Sequence, residues 1–408
     1  MSTAGYDAIV VGAGPAGCIA AFTLAKGGAR VALVDKARLG RDKACGDLIG
    51  PRGVRLLEDL DLDVPDAPRV GDMIVAGPSG RRVLLPARAG RTYPGYAIVV
   101  PRARFDGHLR SAAIDAGAIE IDSRVASVDD GRVVLDGGGV LEADFIIGAD
   151  GATSTTARTA GLVDPERVLW GFAARGYIPA DVSLPVIALW NDRPRRGFPG
   201  YGWLFPGPDG ANLGLGVGLG HSRLAAQRAQ QQLDAFRSHL AGIGLLDPTQ
   251  HLPVRVLGGW LKMGLVGTRS AEGKVLLVGD AAGLVNPLQG EGISQSLASG
   301  HAAASAMLAQ PANAAVAYRH WVDATYGEWM SVTTPIQAGL VGHPRLIAGL
   351  SEALTAPLVG SSIASTWAIY WNDLAEGATK TPAVMAAGFV HRMGRIATAR
   401  SRLISGKT

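Results

Sequence analysis

The chain has 408 residues, 48% of them hydrophobic, and a net charge of +4. That length allows two or three domains with cores of their own, and the basic residues are not interleaved with aromatics in any one element, which argues against nucleic acid as a partner. Its two cysteines, Cys18 and Cys45, have no metal-ligand spacing and cannot build a disulfide framework, so no metal site is expected.

Residues 8–11 are an apolar run that predicts a short buried strand. Gly12-Ala13-Gly14-Pro15-Ala16-Gly17 follows, then a helical pattern over 16–26, then a second apolar run at 31–34 that delivers Asp35 and Lys36. Strand, glycine turn, helix, strand and acid in that order is the pattern of a dinucleotide site. Gly12 permits the tight turn, Gly14 lets backbone approach a pyrophosphate, and Gly17 lets the helix pack on the strand. The helix N-terminus then offers free N–H groups to the anion, and Asp35 accepts from ribose hydroxyls. By itself the motif does not distinguish FAD from NAD. A first strand at about residue 6 leaves no room for a cleavable signal, and no run of about 20 apolar residues appears, so a cytoplasmic protein that does not span the membrane is expected.

The loop 36–47 leaves the carboxyl end of the second strand, over the ligand crevice of a doubly wound sheet, and brings Cys45 and Gly46 toward the working part of a cofactor. Short extended pieces at 72–76 and 82–85 interrupt the nucleotide domain. A helix is predicted from 101, with Arg102 just ahead of it as a candidate cofactor contact or an exposed arginine. Strands near 123–128, 132–135 and 145–147 lead to Gly148-Ala149-Asp150-Gly151, a small-residue turn.

From about 160 to 265 strands return, with a helical insertion over 222–240. Within them lies Phe198-Pro199-Gly200-Tyr201-Gly202-Trp203-Leu204-Phe205-Pro206. In a strand Tyr201, Trp203 and Phe205 share a face, either as core or as the wall of an apolar substrate pocket. A strand at 274–278 runs into Gly279-Asp280-Ala281-Ala282-Gly283, and Asn286-Pro287-Leu288-Gln289-Gly290-Glu291-Gly292-Ile293 opens a long helix through 307. Asp280 suits the ribitol and pyrophosphate region of FAD, and the Gly290, Gly292 and Ile293 backbone aims a positive helix end at a flavin ring. Residues 335–408 read as helical. The last part, 382–405, carries Phe389, Val390, Met393 and Ile396 among basic residues, which suits either a solvated face or an anionic membrane surface.

These motifs resemble the geranylgeranyl reductase family, within the glutathione-reductase-type FAD superfamily that also contains p-hydroxybenzoate hydroxylase. The superfamily likeness rests on residues 12–17 with Asp35, on Arg102 ahead of Phe105-Asp106, on Ala149-Asp150-Gly151 and on Gly279-Asp280. The narrower one rests on Lys43-Ala44-Cys45-Gly46-Asp47, the Tyr-x-Trp-x-Phe-Pro pattern at 201–206 and residues 286–293. Two departures stand out: Asp35 replaces the usual Glu, and nothing beyond about 335 matches a pattern.

The resemblance implies an α/β fold. A Rossmann-like FAD-binding domain with a doubly wound parallel sheet would occupy 1–70, 101–160 and 266–334. An inserted, mainly antiparallel substrate domain would occupy 71–100 and 161–265, and a helical C-terminal region 335–408. It also implies hydride transfer from reduced FAD to an isolated C=C bond of a prenyl lipid or quinone. The electron donor stays open among NADPH, ferredoxin and another reductant, and the membrane reading of 382–405 would place the protein peripherally at the inner face of the membrane. Tyr201, Trp203 and Phe205 would hold the chain, and Cys45 would stand next to the reacting bond. A flavin monooxygenase and a non-catalytic prenyl-binding protein of the same fold are the alternatives; a halogenase is disfavoured, because no Trp-x-Trp-x-Ile-Pro pattern occurs.

Overall fold

In a computed structural model, which describes residues 5–37, 40–208, 210–220, 229–251 and 255–405, the run Tyr6–Val11 is a central strand with four consecutive buried residues. A strand buried on both faces has no reason to alternate, which is why it reads as a continuous apolar run. It pairs in parallel with Val31–Asp35 on one side and Val140–Gly148 on the other. Ile119–Asp122 extends the sheet beyond Val31–Asp35, and Val275–Leu277 extends it beyond Val140–Gly148, both in parallel. The antiparallel pieces Val125–Asp129, Arg132–Leu135 and Ala271–Glu272 complete eight strands.

Helices Pro15–Lys26, Arg102–Asp115 and Ile293–Ala309 pack together beside this sheet. The first and last approach so closely that a Cβ on Gly300 would stand 2.2 Å from the Ala16 carbonyl oxygen. Only a side chain of hydrogen fits there.

The second sheet has seven strands in the order Leu257–Met263, Leu169–Ile178, Gly210–Gly220, Gly200–Gly207, Val186–Ala188, Met73–Ala76 and Arg82–Leu85. All its pairs are antiparallel except Val186–Ala188 with Met73–Ala76. One face is covered by Ala229–Gly242, whose Phe236 and Leu240 are fully buried. The helical insertion expected at 222–240 is thus helical from 229, and its start lies outside the described residues. The same holds for Arg38 and Leu39 of the loop after Asp35.

A small third sheet joins Leu48–Ile49, Ala97–Val99 and Arg69–Val70. The strand at 97–99 therefore pairs with pieces on the nucleotide side of the boundary drawn at residue 70. After residue 309 the described chain is helical, through Ala314–Val322, Glu328–Val341, Pro344–Ala353, Gly360–Trp371 and Pro382–Ser405. The side chains from 398 onward, those of Arg400 and Arg402 included, lie outside the described residues. No helix among the described residues is long and apolar enough to cross a membrane.

Candidate active site

The first glycine turn is locked against the second. Gly12 has φ +105°, and a Cβ there would stand 2.5 Å from the Ala149 carbonyl oxygen. A Cβ on Gly17 would stand 1.8 Å from the Gly12 oxygen, so this glycine serves the turn and the helix packing above it. Gly14 is different: nothing lies within 4 Å of the position its Cβ would take, and its backbone faces open space at the N-terminus of Pro15–Lys26. The room beside a positive helix end fits a pyrophosphate.

Asp35 Oδ2 accepts from the Ala13 N–H at 2.5 Å and Oδ1 from the Ala37 N–H at 2.7 Å, so the acid is held beside the turn. A narrow crevice between Asp35, Ala13, Arg41, Asp106 and Arg110 marks this end of the groove.

The third turn meets the first. Gly279 has φ +56°, its N–H donates to Ser299 Oγ at 2.9 Å, and a Cβ on it would stand 3.1 Å from Ala16 Cβ. Asp280 faces Lys43 Nζ at 3.5 Å. The carboxylate of Asp150 accepts from the Ser154 hydroxyl at 2.5 Å and the Thr156 N–H at 3.0 Å, capping the short helix that leaves the second turn. Three turns more than 100 residues apart in sequence thus converge, and the glycine-lined groove between them fits a dinucleotide.

At the other end the groove opens into a cavity of about 670 Å³. Pro15, Asp280 and the segment Gly290–Ile293 line one side, and Tyr201, Trp203 and Phe205 line another. The floor near Cys45 is tight, since a Cβ on Gly46 would stand 2.9 Å from the Phe205 ring. Ile336, Leu350, Leu354, Trp367 and Tyr370, from three of the C-terminal helices and the turn after the second, roof it. Tyr201 donates to the Gln289 carbonyl at 2.5 Å, which ties the aromatic strand to the loop that opens the helix Ile293–Ala309. Glu291 Oε1 accepts from the Ser294 N–H at 2.7 Å and caps that helix.

Behind the aromatic wall lies a buried polar network. Trp203 donates its indole N–H to Asn212 Oδ1 at 2.9 Å. Asn212 Nδ2 donates to the Cys45 carbonyl and to Asp47 Oδ2, both at 2.8 Å. Asp47 Oδ2 also accepts from the Tyr177 hydroxyl at 2.5 Å, and Oδ1 accepts from the Arg102 N–H at 3.2 Å. Asp47 adopts φ +62°, and its N–H donates to Cys45 Sγ at 3.4 Å. Beside it Arg175 pairs with Asp42 and donates to the Lys43 carbonyl at 3.0 Å. Burial pushes the Cys45 thiol above its usual range, outweighing the nearby Arg102, so the thiol keeps its proton at neutral pH.

Most of the residues singled out in the sequence gather at this groove and cavity. One does not, and for another the alternatives narrow. Lys36 is exposed and lines neither opening. Arg102 lines the cavity and is not an exposed arginine: it is buried, begins its helix, and gives both Nε and Nη2 to Asp106 at 2.7 Å, because an unpaired buried guanidinium would be too costly. Sequence reasoning missed Asn212 and Tyr177, which sit in strands with no signal but ordinary alternation, and it missed Lys262, a fully buried lysine in the strand Leu257–Met263.

Comparison with known proteins bears on this groove. A family model described as an FAD binding domain matches residues 5–173. A menaquinone reductase of Mycolicibacterium smegmatis is 36% identical over 319 residues, covering 74% of this chain and 76% of its own. Digeranylgeranylglycerophospholipid reductase 2 of Methanopyrus kandleri is 33% identical over 316 residues, covering 73% of this chain and 76% of its own. Among solved structures, a geranylgeranyl bacteriochlorophyll reductase-like protein of Thermoplasma acidophilum superposes with a TM-score of 0.72 at 23% identity, over 94% of this chain and 95% of the other, a likeness of fold.

Proposed function

The chain belongs to the geranylgeranyl reductase family of FAD-dependent oxidoreductases, and on that premise we propose that it saturates isolated C=C bonds in the prenyl chain of a lipid or quinone. The observation that carries the proposal is one cavity lined both by the cofactor side, at Pro15, Asp280 and Gly290–Ile293, and by the aromatic face Tyr201, Trp203 and Phe205. A pocket with so few polar groups suits a hydrocarbon chain.

Bound FAD supplies the hydride chemistry of this family; the residues supply position and a dry site. An isolated alkene has no carbonyl to polarise, so placement must contribute much of the rate. The rings of Trp203 and Phe205 stack 6.2 Å apart between centroids and give the chain a flat wall. Asn212 and Gln289 fix the rotation of Trp203 and Tyr201, so the wall is set before substrate arrives. The Cys45 thiol, held by Asp47 N–H, stays protonated and lines the cavity; there it would position the reacting bond or form part of a route that relays a solvent proton to the second carbon.

The substrate reaches the cavity from a bilayer. Leu350, Ile363 and Val390 line the cavity and yet are 47, 39 and 43% exposed, so they form its rim. Beyond them Leu346 and Val359 are exposed, and Leu358 is fully so. The hairpin bearing exposed Arg193, Arg195 and Arg196 packs on the same helix as Leu350. Each arginine near an anionic surface contributes about 1 kcal/mol, and the apolar rim adds more. Sedimentation with anionic liposomes at low salt is expected, and a chain left in the supernatant would remove this membrane contact.

Mass spectrometry of lipid extracts from cells with and without the protein tests the activity. Prenyl quinones or lipids that carry two extra hydrogens only when the protein is present are expected; identical profiles would oppose it.

A further inference from the structure

Lys262 is 1% exposed, in the edge strand Leu257–Met263 of the second sheet. Its Cε lies 3.7 Å from where a Cβ on Gly283 would stand, which puts the side chain against the third turn. Among the described residues no hydrogen bond or ion pair within 4.0 Å holds its ammonium group. The carboxylates in electrostatic reach are Asp150 and Asp280, one from the second turn and one from the third. Both have other partners: Asp150 takes Ser154 and Thr156, and Asp280 faces Lys43. Burial pulls the lysine down to about 8 against the attraction of these two acids, so it remains mostly charged at neutral pH.

A cation so little exposed and held by no direct partner is costly, and a methionine would fill the same space without that cost. Within the fold the charge serves only to offset Asp150 and Asp280, each of which has another partner. FAD gives it a further use, because its pyrophosphate carries negative charge into a groove where Asp150 and Asp280 repel it. The N-terminus of Pro15–Lys26 offsets part of that repulsion, with roughly half an elementary charge. Lys43 is one-third exposed and so partly screened.

We propose that Lys262 is the buried countercharge for the cofactor pyrophosphate, a positioning residue that sets FAD affinity and not the stability of the fold. The inference rests on FAD spanning the three turns, and its test reads binding alone, so it can fail while prenyl reduction stands, or stand while prenyl reduction fails.

The experiment titrates the flavin-free full-length chain with FAD, followed by flavin fluorescence, with ADP as a competing probe that carries the pyrophosphate but no flavin. Thermal unfolding of the same flavin-free samples runs beside it. Lys262→Met is expected to weaken both FAD and ADP by at least tenfold while the flavin-free Tm stays level or rises, since a lone buried charge is gone. Lys262→Arg, which keeps the charge, is expected to recover part of the affinity for both. Unchanged FAD affinity in the methionine variant overturns the proposal, as does a loss confined to FAD with ADP unaffected, or a fall in flavin-free Tm alongside the loss of binding. Should the flavin resist removal, the rate of FAD release from the diluted holoprotein gives the same comparison, with release at least tenfold faster expected for Lys262→Met and an equal rate overturning the proposal.

Discussion

Asn212 joins two parts of the chain that lie 165 residues apart, the strand Gly210–Gly220 and the loop at Asp47. Replacing it by Leu leaves the Trp203 indole N–H without its acceptor and removes a donor from Asp47, at a cost of about 1–3 kcal/mol for each buried group left unpaired. The expected outcome is a lower unfolding midpoint in urea and a higher KM for the prenyl substrate, with FAD retained. Cys45→Ala tests the reacting end: alkene reduction should fall with bound FAD unchanged, and full activity would remove Cys45 from the mechanism. Trp203 and Cys45 were legible in the sequence, the first from strand alternation and the second from its place in the loop after Asp35. Asn212 was not, because a polar residue in a strand looks the same whether it faces water or closes a buried network.

At the scale of elements, two glycines of one turn separate folding from binding. Gly12→Ala forces a Cβ against the Ala149 oxygen at φ +105°, so the flavin-free protein should be destabilised by several kcal/mol. Gly14→Ala puts its methyl into open space at φ −81°, so the flavin-free Tm should barely move while FAD affinity falls. FAD affinity left unchanged by Gly14→Ala would mean that Gly14 has no part in the cofactor cradle.

A second link ties the roof to the nucleotide side. Arg52 Nη1 meets Asp373 at 3.6 Å, and Arg52 Nη2 donates to the Glu376 carbonyl at 3.3 Å. Burial raises Asp373 from 3.8 to about 7; Arg52 opposes that rise and Glu376 adds to it. A carboxyl raised in the folded state favours folding below its unfolded pKa, and that contribution is lost as pH climbs through the folded value. Stability should therefore decline between about pH 4 and pH 7 by at most about 4 kcal/mol. Asp373→Asn should flatten that part of a Tm profile, and an unchanged slope would assign it elsewhere.

The strand, turn, helix and acid of the nucleotide site were readable because each step is local and carries its own pattern. The roof was not. Residues 335–408 were expected to be helical, and they are over most of the described span, but their irregular apolar pattern gave no sign that Ile336, Leu350 and Trp367 close a cavity over the aromatic wall. Those side chains face a space inside the protein on one side and solvent at the rim on the other, so no single helical stripe results. Likewise Ala97–Val99 pairs with Leu48–Ile49, a contact that the sequence boundary at 100 did not anticipate.

For the whole molecule, one groove and one cavity unite a cofactor cradle from three distant turns with an apolar slot and an exposed apolar rim. Anaerobic single turnover examines that union most directly: the holoprotein is reduced chemically, oxygen is excluded, and a prenyl quinone or geranylgeranyl lipid is added in anionic vesicles. Reoxidation of the flavin together with a product two hydrogen atoms heavier is expected. A flavin that stays reduced until air is admitted, with a product that has gained oxygen in place of hydrogen, would contradict it.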